Sequence, residues 1–383
     1  MHPKRNLKEL WEPEQGLEDP VLQHALFYLH GDIEVPLSNC DGDRFLDLCK
    51  KLNIQPIVYE KLKAGSKGSF VNEPWFTHLR LESLKIAGAC AYRQQTLARV
   101  VGSMQQAGMK PILLKGPALG NTVYPRVHWR TSHDIDLLID PEDWDSANEC
   151  LTQLGYQSAP CLNWGYLSFE KCYSASENYP ESPLIELHLR LNNRPLLCVF
   201  SYQELLEKAV QISIENEAVW IPDKVDHFIY LCVHRAGHFP QDRRFAWLLD
   251  LFYLGQSFSV TDWQKLVELA IDKEVATILK VCLEDVNRVL KFGAPEKVMF
   301  DLQKQVASGR ETSAGYLEQR YSKAHDLVNR WLEIPTAKAK FSYLWRWIFP
   351  PNSYMAASFQ SKHTLLRHGE RIVKGVRKYF GAA

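Results

Sequence analysis

The hydrophobic pattern divides the chain into three parts. Over residues 75–109, apolar residues recur at three- and four-residue spacing, which predicts one long amphipathic helix. Over residues 111–222, short apolar runs alternate with polar residues and turn signals, which predicts strands joined by short helices. Helical spacing then returns. We therefore predict an N-terminal helical region (1–110), an α/β core (111–222) and a C-terminal helical domain (223–383).

The same pattern predicts the individual elements. Helices are expected at 21–29, 44–49, 55–62, 118–124, 141–154, 225–236 and 245–254, and within 263–290. Strands are expected at 112–115, 135–139, 155–157, 169–173, 184–189 and 219–221. The apolar stripe of the long helix should pack on the sheet that these strands form. The predicted fold class is α+β, with a small sheet flanked by helical regions at both ends of the chain.

Two aspartates on one predicted strand are the first candidates for chemistry. Asp134 and Asp136 lie two residues apart in the run Asp-Ile-Asp-Leu-Leu-Ile. Side chains two apart on a strand point to the same face, so the two carboxylates should lie side by side with Ile135 on the other face. Neighbouring carboxylates repel each other unless a cation lies between them, and Mg²⁺ is commonly held by such oxygens together with substrate phosphates. This stretch predicts a site for a metal and a phosphate.

The residues just before the aspartates fit phosphate binding. The predicted strand 112–115 ends in Lys115-Gly116, and Gly116 permits a tight turn and a close backbone approach. Pro117 suits the first position of a helix, and the free N–H groups at a helix N-terminus bind anions. Lys115 at this turn and Arg130 before the aspartates can both neutralise phosphate charge. A solvated strand end remains the alternative for Lys115 and for an Asp-x-Asp pair taken alone.

This order of features resembles a known group of proteins. A strand, Lys115-Gly116, a short helix, Arg130 and then Asp134 and Asp136 are similar to the DNA polymerase β-like nucleotidyltransferase superfamily. The run LKGPAL…R…DIDLLI…IELH looks most like a bacterial group of uncharacterised nucleotidyltransferases. The superfamily has Ser or Gly after the first glycine, whereas this chain has Pro, which suits the narrower group. The resemblance implies a small mixed β-sheet of the polymerase β type.

The resemblance also implies roles for individual residues. Asp134 and Asp136 match two of the superfamily's acidic residues, and Glu186, on the alternating strand 184–189, is the best match to the third. The resemblance implies that these acids are catalytic and bind Mg²⁺, with Mn²⁺ as an alternative. Nucleotide-binding roles are assigned to Lys115, Gly116, Arg130, Arg244 and His188. His188 shares its predicted strand face with Glu186, and simple packing or capping is the alternative interpretation for it.

The implied activity is a nucleotidyl transfer. An NMP would pass from an NTP to a hydroxyl of a small-molecule, peptide or protein acceptor, and pyrophosphate would be released. The family resemblance favours a role for this activity in a bacterial tailoring pathway, such as natural product biosynthesis, or in a surface-polymer pathway. Two alternatives remain open: phosphoryl or glycosyl transfer from a nucleotide donor at the same site, and a non-catalytic nucleotide-binding or toxin–antitoxin module.

A second polar run lies in the C-terminal helical domain. His234, His238, Arg244, Trp247 and Asp250 are similar to a His…His…Arg…Trp-Leu-x-Asp run in the narrower family group. Two histidines four residues apart on a helix, together with an aspartate, permit a zinc site. No glutamate follows His234 as in the metalloprotease arrangement, so we favour a polar network or a pocket lining. Arg244 is expected near the phosphates.

Bulk properties narrow the possible partners. The 383-residue chain has 45 basic and 45 acidic residues, and this zero net charge argues against binding to long nucleic acids. We predict no signal peptide and no membrane span. The nine cysteines lack paired spacing, which favours reduced thiols and a cytoplasmic protein. The basic helix near the C-terminus is read as a solvated face, and contact with an acidic partner or a membrane surface is the alternative.

Overall fold

A seven-stranded mixed sheet lies at the centre of the computed structural model. The structure describes residues 41–65, 72–158, 169–175, 182–238, 244–308, 311–318, 320–350, 354–355, 359 and 364–379. The strands are β1 (Ile112–Leu113), β2 (Asp134–Leu138), β3 (Tyr156–Ser158), β4 (Glu170–Ala175), β5 (Leu184–His188), β6 (Val210–Ile214) and β7 (Glu217–Ile221). Their order across the sheet is β3-β4-β5-β2-β1-β7-β6. β2 pairs in parallel with β5, and β1 with β7, while the other pairs are antiparallel.

Helices surround this sheet. Those before β2 are α1 (Gly42–Leu52), α2 (Gln55–Gly65), α3 (Pro74–Gln106) and α4 (Lys115–Thr122). Those between β2 and the end of the sheet are α5 (Trp144–Gln153) and α6 (Tyr202–Lys208). The C-terminal helices are α7 (Lys224–His238), α8 (Phe245–Gln256), α9 (Val260–Asp272), α10 (Ala276–Leu290), α11 (Glu296–Ser308), α12 (Lys323–Glu333), α13 (Ala337–Ile348) and α14 (Thr364–Tyr379). The predicted α+β class with helical flanks is therefore confirmed.

Local sequence signals explain several helix boundaries. Asp41 caps α1 by accepting hydrogen bonds from the backbone N–H groups of Asp43 and Arg44. α3 ends where Gly108 adopts a positive φ of 86°, as its C-terminal glycine predicts. The predicted helix 141–154 begins with a short 3₁₀ turn, Pro141–Asp143, before α5. The predicted helix 21–29 lies outside the described residues.

The turn at Lys115 differs from its prediction. β1 ends at Leu113, so Lys115 is the first residue of α4 and not the last residue of a strand. Leu114 has extended backbone angles (φ −110°, ψ 167°), which start the helix three residues earlier than predicted. Pro117 is therefore the third helical residue, where its missing N–H still costs nothing because the first four N–H groups have no partner within the helix. α6 and β6 were missed, because their short sequences carry little periodicity.

Two apolar layers cover the two faces of the sheet. On one face the long helix packs on the sheet, as predicted, with its closest approach to β7 and β6. The apolar layer on this face contains Leu97, Val100, Val101, Met104, Leu113, Ile135, Leu137, Ile139, Ile185 and Leu187. The other layer joins residues of all three predicted regions, among them Phe45, Leu119, Leu138, Phe228 and Leu248. Each fully buried Leu, Ile or Phe stabilises the fold by roughly 1.5–3 kcal/mol. The three-region division stays a prediction.

Membrane insertion has no support in the described helices. None of them combines the length and the apolar character that crossing a bilayer requires.

Candidate functional site

The parallel pairing of β2 with β5 brings acidic residues together. Asp136 lies opposite Glu186, and Leu138 lies opposite His188. Ile135 and Leu137 point into the apolar layer on the long-helix side, so the carboxylate of Asp136 lies on the opposite face, as the alternation predicts. The sheet therefore places the side chains of Asp136, Glu186 and His188 at one position, although the two strands are far apart in sequence.

These three side chains form a candidate metal centre. One ligand atom from each of Asp136, Glu186 and His188 lies within 4.8 Å of the others. The Nε2 atom of His188 is 2.9 Å from Oδ1 of Asp136 and 3.7 Å from Oε2 of Glu186. Two carboxylates suit Mg²⁺, and an added imidazole suits Mn²⁺ as well. The residues present therefore fit a divalent cation.

Lys115 supplies a positive charge to this cluster. Its Nζ atom donates a 2.7 Å hydrogen bond to Oδ1 of Asp136, whose side chain is only 2% exposed. Burial alone raises the pKa of Asp136, but the Lys115 ammonium and the His188 hydrogen bond outweigh it and hold that pKa well below its usual range. Lys115 has φ 52°, a left-handed conformation that costs a non-glycine residue on the order of 1 kcal/mol. Such strain is characteristic of functional sites.

The pKa of Glu186 shifts in the opposite direction to that of Asp136. Burial and the negative charge of Asp136 raise the pKa of Glu186 to about 7, although His188 and Lys115 act against this. The carboxyl group therefore gains and loses its proton near neutral pH. A group of this kind can exchange a proton with a substrate, and it must lose its proton before it can bind a cation.

This raised pKa predicts a pH-dependent stability that Glu186→Gln removes. A carboxyl whose folded-state pKa is raised contributes stability that is complete below its unfolded-state pKa and is lost as pH rises through the folded-state pKa. For Glu186 the loss falls between pH 4.5 and about 7. Because the Glu186 side chain is partly exposed, we expect the free energy of unfolding to fall by only about 2 kcal/mol over this pH range.

Urea denaturation of the metal-free protein measures this contribution. The difference between wild type and Glu186→Gln isolates it, because all other titrating groups are common to both proteins. Since a bound cation requires the ionised carboxylate, the affinity for Mg²⁺ should rise across the same pH range in wild type. Parallel pH profiles for the two proteins would contradict the raised pKa.

Asp134 occupies a separate position. Its Oδ1 accepts a 2.7 Å hydrogen bond from the Ser132 hydroxyl, and it is not part of the three-residue cluster. Ser132 also lies against Gly116, where an added Cβ would stand 3.1 Å from the Ser132 Cβ and 3.2 Å from Nη1 of Arg130. Gly116 thus lets the start of α4 approach the segment before β2. Sequence reasoning did not identify Ser132, which no motif position marks.

Arg130 makes an ion pair with Asp250, which is far from it in sequence. Its Nε and Nη2 atoms donate to the two carboxylate oxygens of Asp250 at 2.6 and 2.8 Å, and the Tyr124 hydroxyl donates to Oδ1 at 2.7 Å. The Arg130 and Asp250 side chains are 11% and 0% exposed. This bidentate pair fastens α8 to the segment before β2. The nucleotide-binding role of Arg130 stays a prediction.

The His234 to Asp250 run forms an aromatic cluster. The rings of His234 and His238 are 4.7 Å apart and pack on Trp247, whose ring also lies 5.4 Å from the Arg244 guanidinium carbon. Asp250 is held by Arg130, and among the described residues the three-residue ligand group is the one at Asp136. This arrangement favours ring packing and a polar network between segments over a zinc site. The phosphate role of Arg244 stays a prediction.

Tyr230 and Arg93 are buried groups near Lys115 and Asp134 respectively that sequence reasoning did not single out. His234, already named in the second polar run, is also buried and lies near Lys115. The Tyr230 hydroxyl is buried without a well-formed hydrogen bond to any described residue, and burial raises its pKa, although Lys115 is close enough to oppose this. Burial, and then Lys115, lower the pKa of His234 well below its usual value. The four-residue spacing of Tyr230 and His234 on α7 is a usable signal for a shared face. Arg190, two residues after the end of β5, makes a 2.7 Å ion pair with Glu333 of α12.

The chain matches a known protein family. A family model described as "Uncharacterised nucleotidyltransferase" matches residues 38–291, which is more than half of the chain. The matched span contains every site residue named above except Glu333. No curated protein shows significant similarity to the chain.

Proposed function

Because this chain belongs to the uncharacterised nucleotidyltransferase family, we propose that it transfers an NMP from an NTP to an acceptor hydroxyl and releases pyrophosphate. We propose Mg²⁺, with Mn²⁺ as the alternative, as the cofactor. The acceptor would be a small molecule, a peptide or a protein, because a chain with zero net charge lacks the basic excess that long nucleic acids require.

One observation carries this proposal. Asp136 and Glu186 face each other across two parallel strands, with His188 beside them and the N-terminus of α4 at the same edge. Carboxylates paired next to free backbone N–H groups and a lysine are the parts that a metal-bound triphosphate needs. The metal would neutralise phosphate charge and acidify the attacking hydroxyl.

The residues of the chain have distinct proposed roles. Asp136, Glu186 and His188 would hold the metal, and Asp134, on the same face of β2, would serve as a further carboxylate ligand. Glu186 would also help to deprotonate the acceptor hydroxyl, as the resemblance to the nucleotidyltransferase superfamily implies. Lys115 and the backbone N–H groups after Gly116 would bind phosphate oxygens and stabilise the charge that develops during transfer.

Label transfer from differently labelled donors tests the reaction type. The full-length protein is incubated with Mg²⁺, a cell extract as the source of acceptor, and an NTP labelled at the α- or the γ-phosphate. We expect the α-label to enter an acceptor. Glu186→Gln should reduce this by at least about 100-fold, because the proton acceptor and a metal ligand are both lost. Glu142→Gln, an exposed acid outside the site, is the matched control.

The other outcomes identify the alternatives. Entry of the γ-label would indicate phosphoryl transfer. In a parallel incubation with a nucleotide that carries a labelled sugar, entry of the sugar label would indicate glycosyl transfer. Metal-dependent NTP binding in calorimetry without any transfer would favour the non-catalytic nucleotide-binding or toxin–antitoxin module. Full transfer by Glu186→Gln would show that the acidic cluster is not the active site.

A further inference from the structure

An arginine of the long helix lies near Asp134, two residues before Asp136 on β2. Arg93, on α3, is 8% exposed. The charges of Asp134 and Arg130 are close enough to act on its guanidinium. The next residue, Gln94, donates a 2.6 Å hydrogen bond to Asn121 of α4. This part of α3 therefore lies against the same short helix whose N-terminus carries Lys115.

The guanidinium of Arg93 lacks the partners that other buried arginines have. Its Nε–H is buried without a hydrogen bond, and no carboxylate of a described residue is within ion-pair distance of it. Arg130 and Arg235, by contrast, are paired with Asp250 and Asp285. Arg93 is thus a buried cation without a counterion among the described residues.

Such an arrangement is costly for the ligand-free protein. An unpaired buried charge lowers stability, and buried charges in folded proteins are ordinarily paired with an opposite charge. Burial lowers the pKa of Arg93, and the Cys90 thiol and the Asp134 carboxylate offset this only in part. Arginine retains its proton even so, because its ordinary pKa is far above neutral. The group is therefore suited to bind an anion.

The other cations near the site already have carboxylate partners in the ligand-free protein. Lys115 donates to Asp136, and Arg130 is held by Asp250, so a highly charged triphosphate that Lys115 also binds would gain from a further cation. Arg93 remains as the uncompensated cation beside Asp134 and α4. We propose that Arg93 binds the triphosphate of the nucleotide donor through its guanidinium. This inference rests on the proposed function and adds a phosphate-binding residue to it.

Calorimetry on four full-length proteins tests the inference. Wild type, Arg93→Met, Arg93→Lys and Arg99→Met are titrated with Mg²⁺ complexes of the four NTPs and with inorganic tripolyphosphate. Arg99 lies on the same helix but is exposed, so Arg99→Met is the matched control. We expect Arg93→Met to weaken both NTP and tripolyphosphate binding on the order of 10- to 100-fold, Arg93→Lys to lie between, and Arg99→Met to match wild type.

Stability separates this role from a structural one. Urea denaturation without ligand should show Arg93→Met at least as stable as wild type, because the substitution removes an unpaired buried charge. A marked loss of stability in ligand-free Arg93→Met, with wild-type binding by Arg93→Lys, would assign Arg93 to the fold and overturn the inference.

The remaining results distinguish the inference from the proposed function. If wild type binds an NTP and Arg93→Met binds it equally well, the inference is wrong while the proposed function stands. If Arg93→Met loses NTP but keeps tripolyphosphate binding, Arg93 does not contact the phosphates. If folded wild type binds no NTP in the presence of Mg²⁺, the proposed function fails, and the inference fails with it.

Discussion

Asp136→Asn is expected to abolish the proposed transfer and to lower the free energy of unfolding by about 3–5 kcal/mol. The asparagine keeps the shape of the side chain but removes the charge that the Lys115 ammonium contacts at 2.7 Å. The buried Lys115 ammonium then remains in the folded protein without its ion-pair partner. The substitution also removes one of the two carboxylates of the metal cluster. Urea denaturation in EDTA measures the stability loss, and label transfer measures the activity.

A double variant separates the two effects. In Asp136→Asn/Lys115→Met neither charge remains, so most of the lost stability should return because no charge is buried alone. Activity should stay absent, since the metal ligand and the phosphate-binding cation are both missing. Wild-type transfer by Asp136→Asn would show that the site is assigned to the wrong residues. Strictly additive stability losses would show that the ion pair does not couple the two side chains.

Asp250→Ala is expected to lower the free energy of unfolding by about 3–5 kcal/mol. It leaves the Arg130 guanidinium buried without a counterion and removes the acceptor of the Tyr124 hydroxyl. α8 then loses its link to the segment before β2. Urea denaturation measures the effect, and a stability equal to wild type would show that this pair does not hold α8 in place.

Two comparisons make this result specific. Asp301→Ala removes an exposed partner of Lys297 on α11, and such a surface pair contributes only about 0.5 kcal/mol. Arg130→Met/Asp250→Leu removes both buried charges and should recover most of the lost stability. Asp250→Ala should also retain Mg²⁺ binding at the acidic cluster. Loss of a tightly bound Zn²⁺ in this variant would instead revive a metal site at His234, His238 and Asp250.

Local patterns in the sequence determined the chemistry of individual strands. The two-residue alternation on β2 put Asp134 and Asp136 on one face and Ile135 on the other, because side-chain direction on a strand depends only on position. The same alternation put Glu186 and His188 together on β5. The run around Lys115-Gly116 and Asp-x-Asp, together with its resemblance, was sufficient to predict the family.

Tertiary structure decided how these pieces combine. The pairing of Asp136 with Glu186 depends on the register of β2 and β5, which no local pattern specifies. Arg130 reads equally well as a phosphate ligand or as half of an ion pair, and only the placement of Asp250 against it shows the pair. Arg93 stands among packing positions of α3, and a sequence shows neither its burial nor its lack of a partner. Register, charge pairing and desolvation arise from contacts between distant segments, so they become visible only in the folded chain.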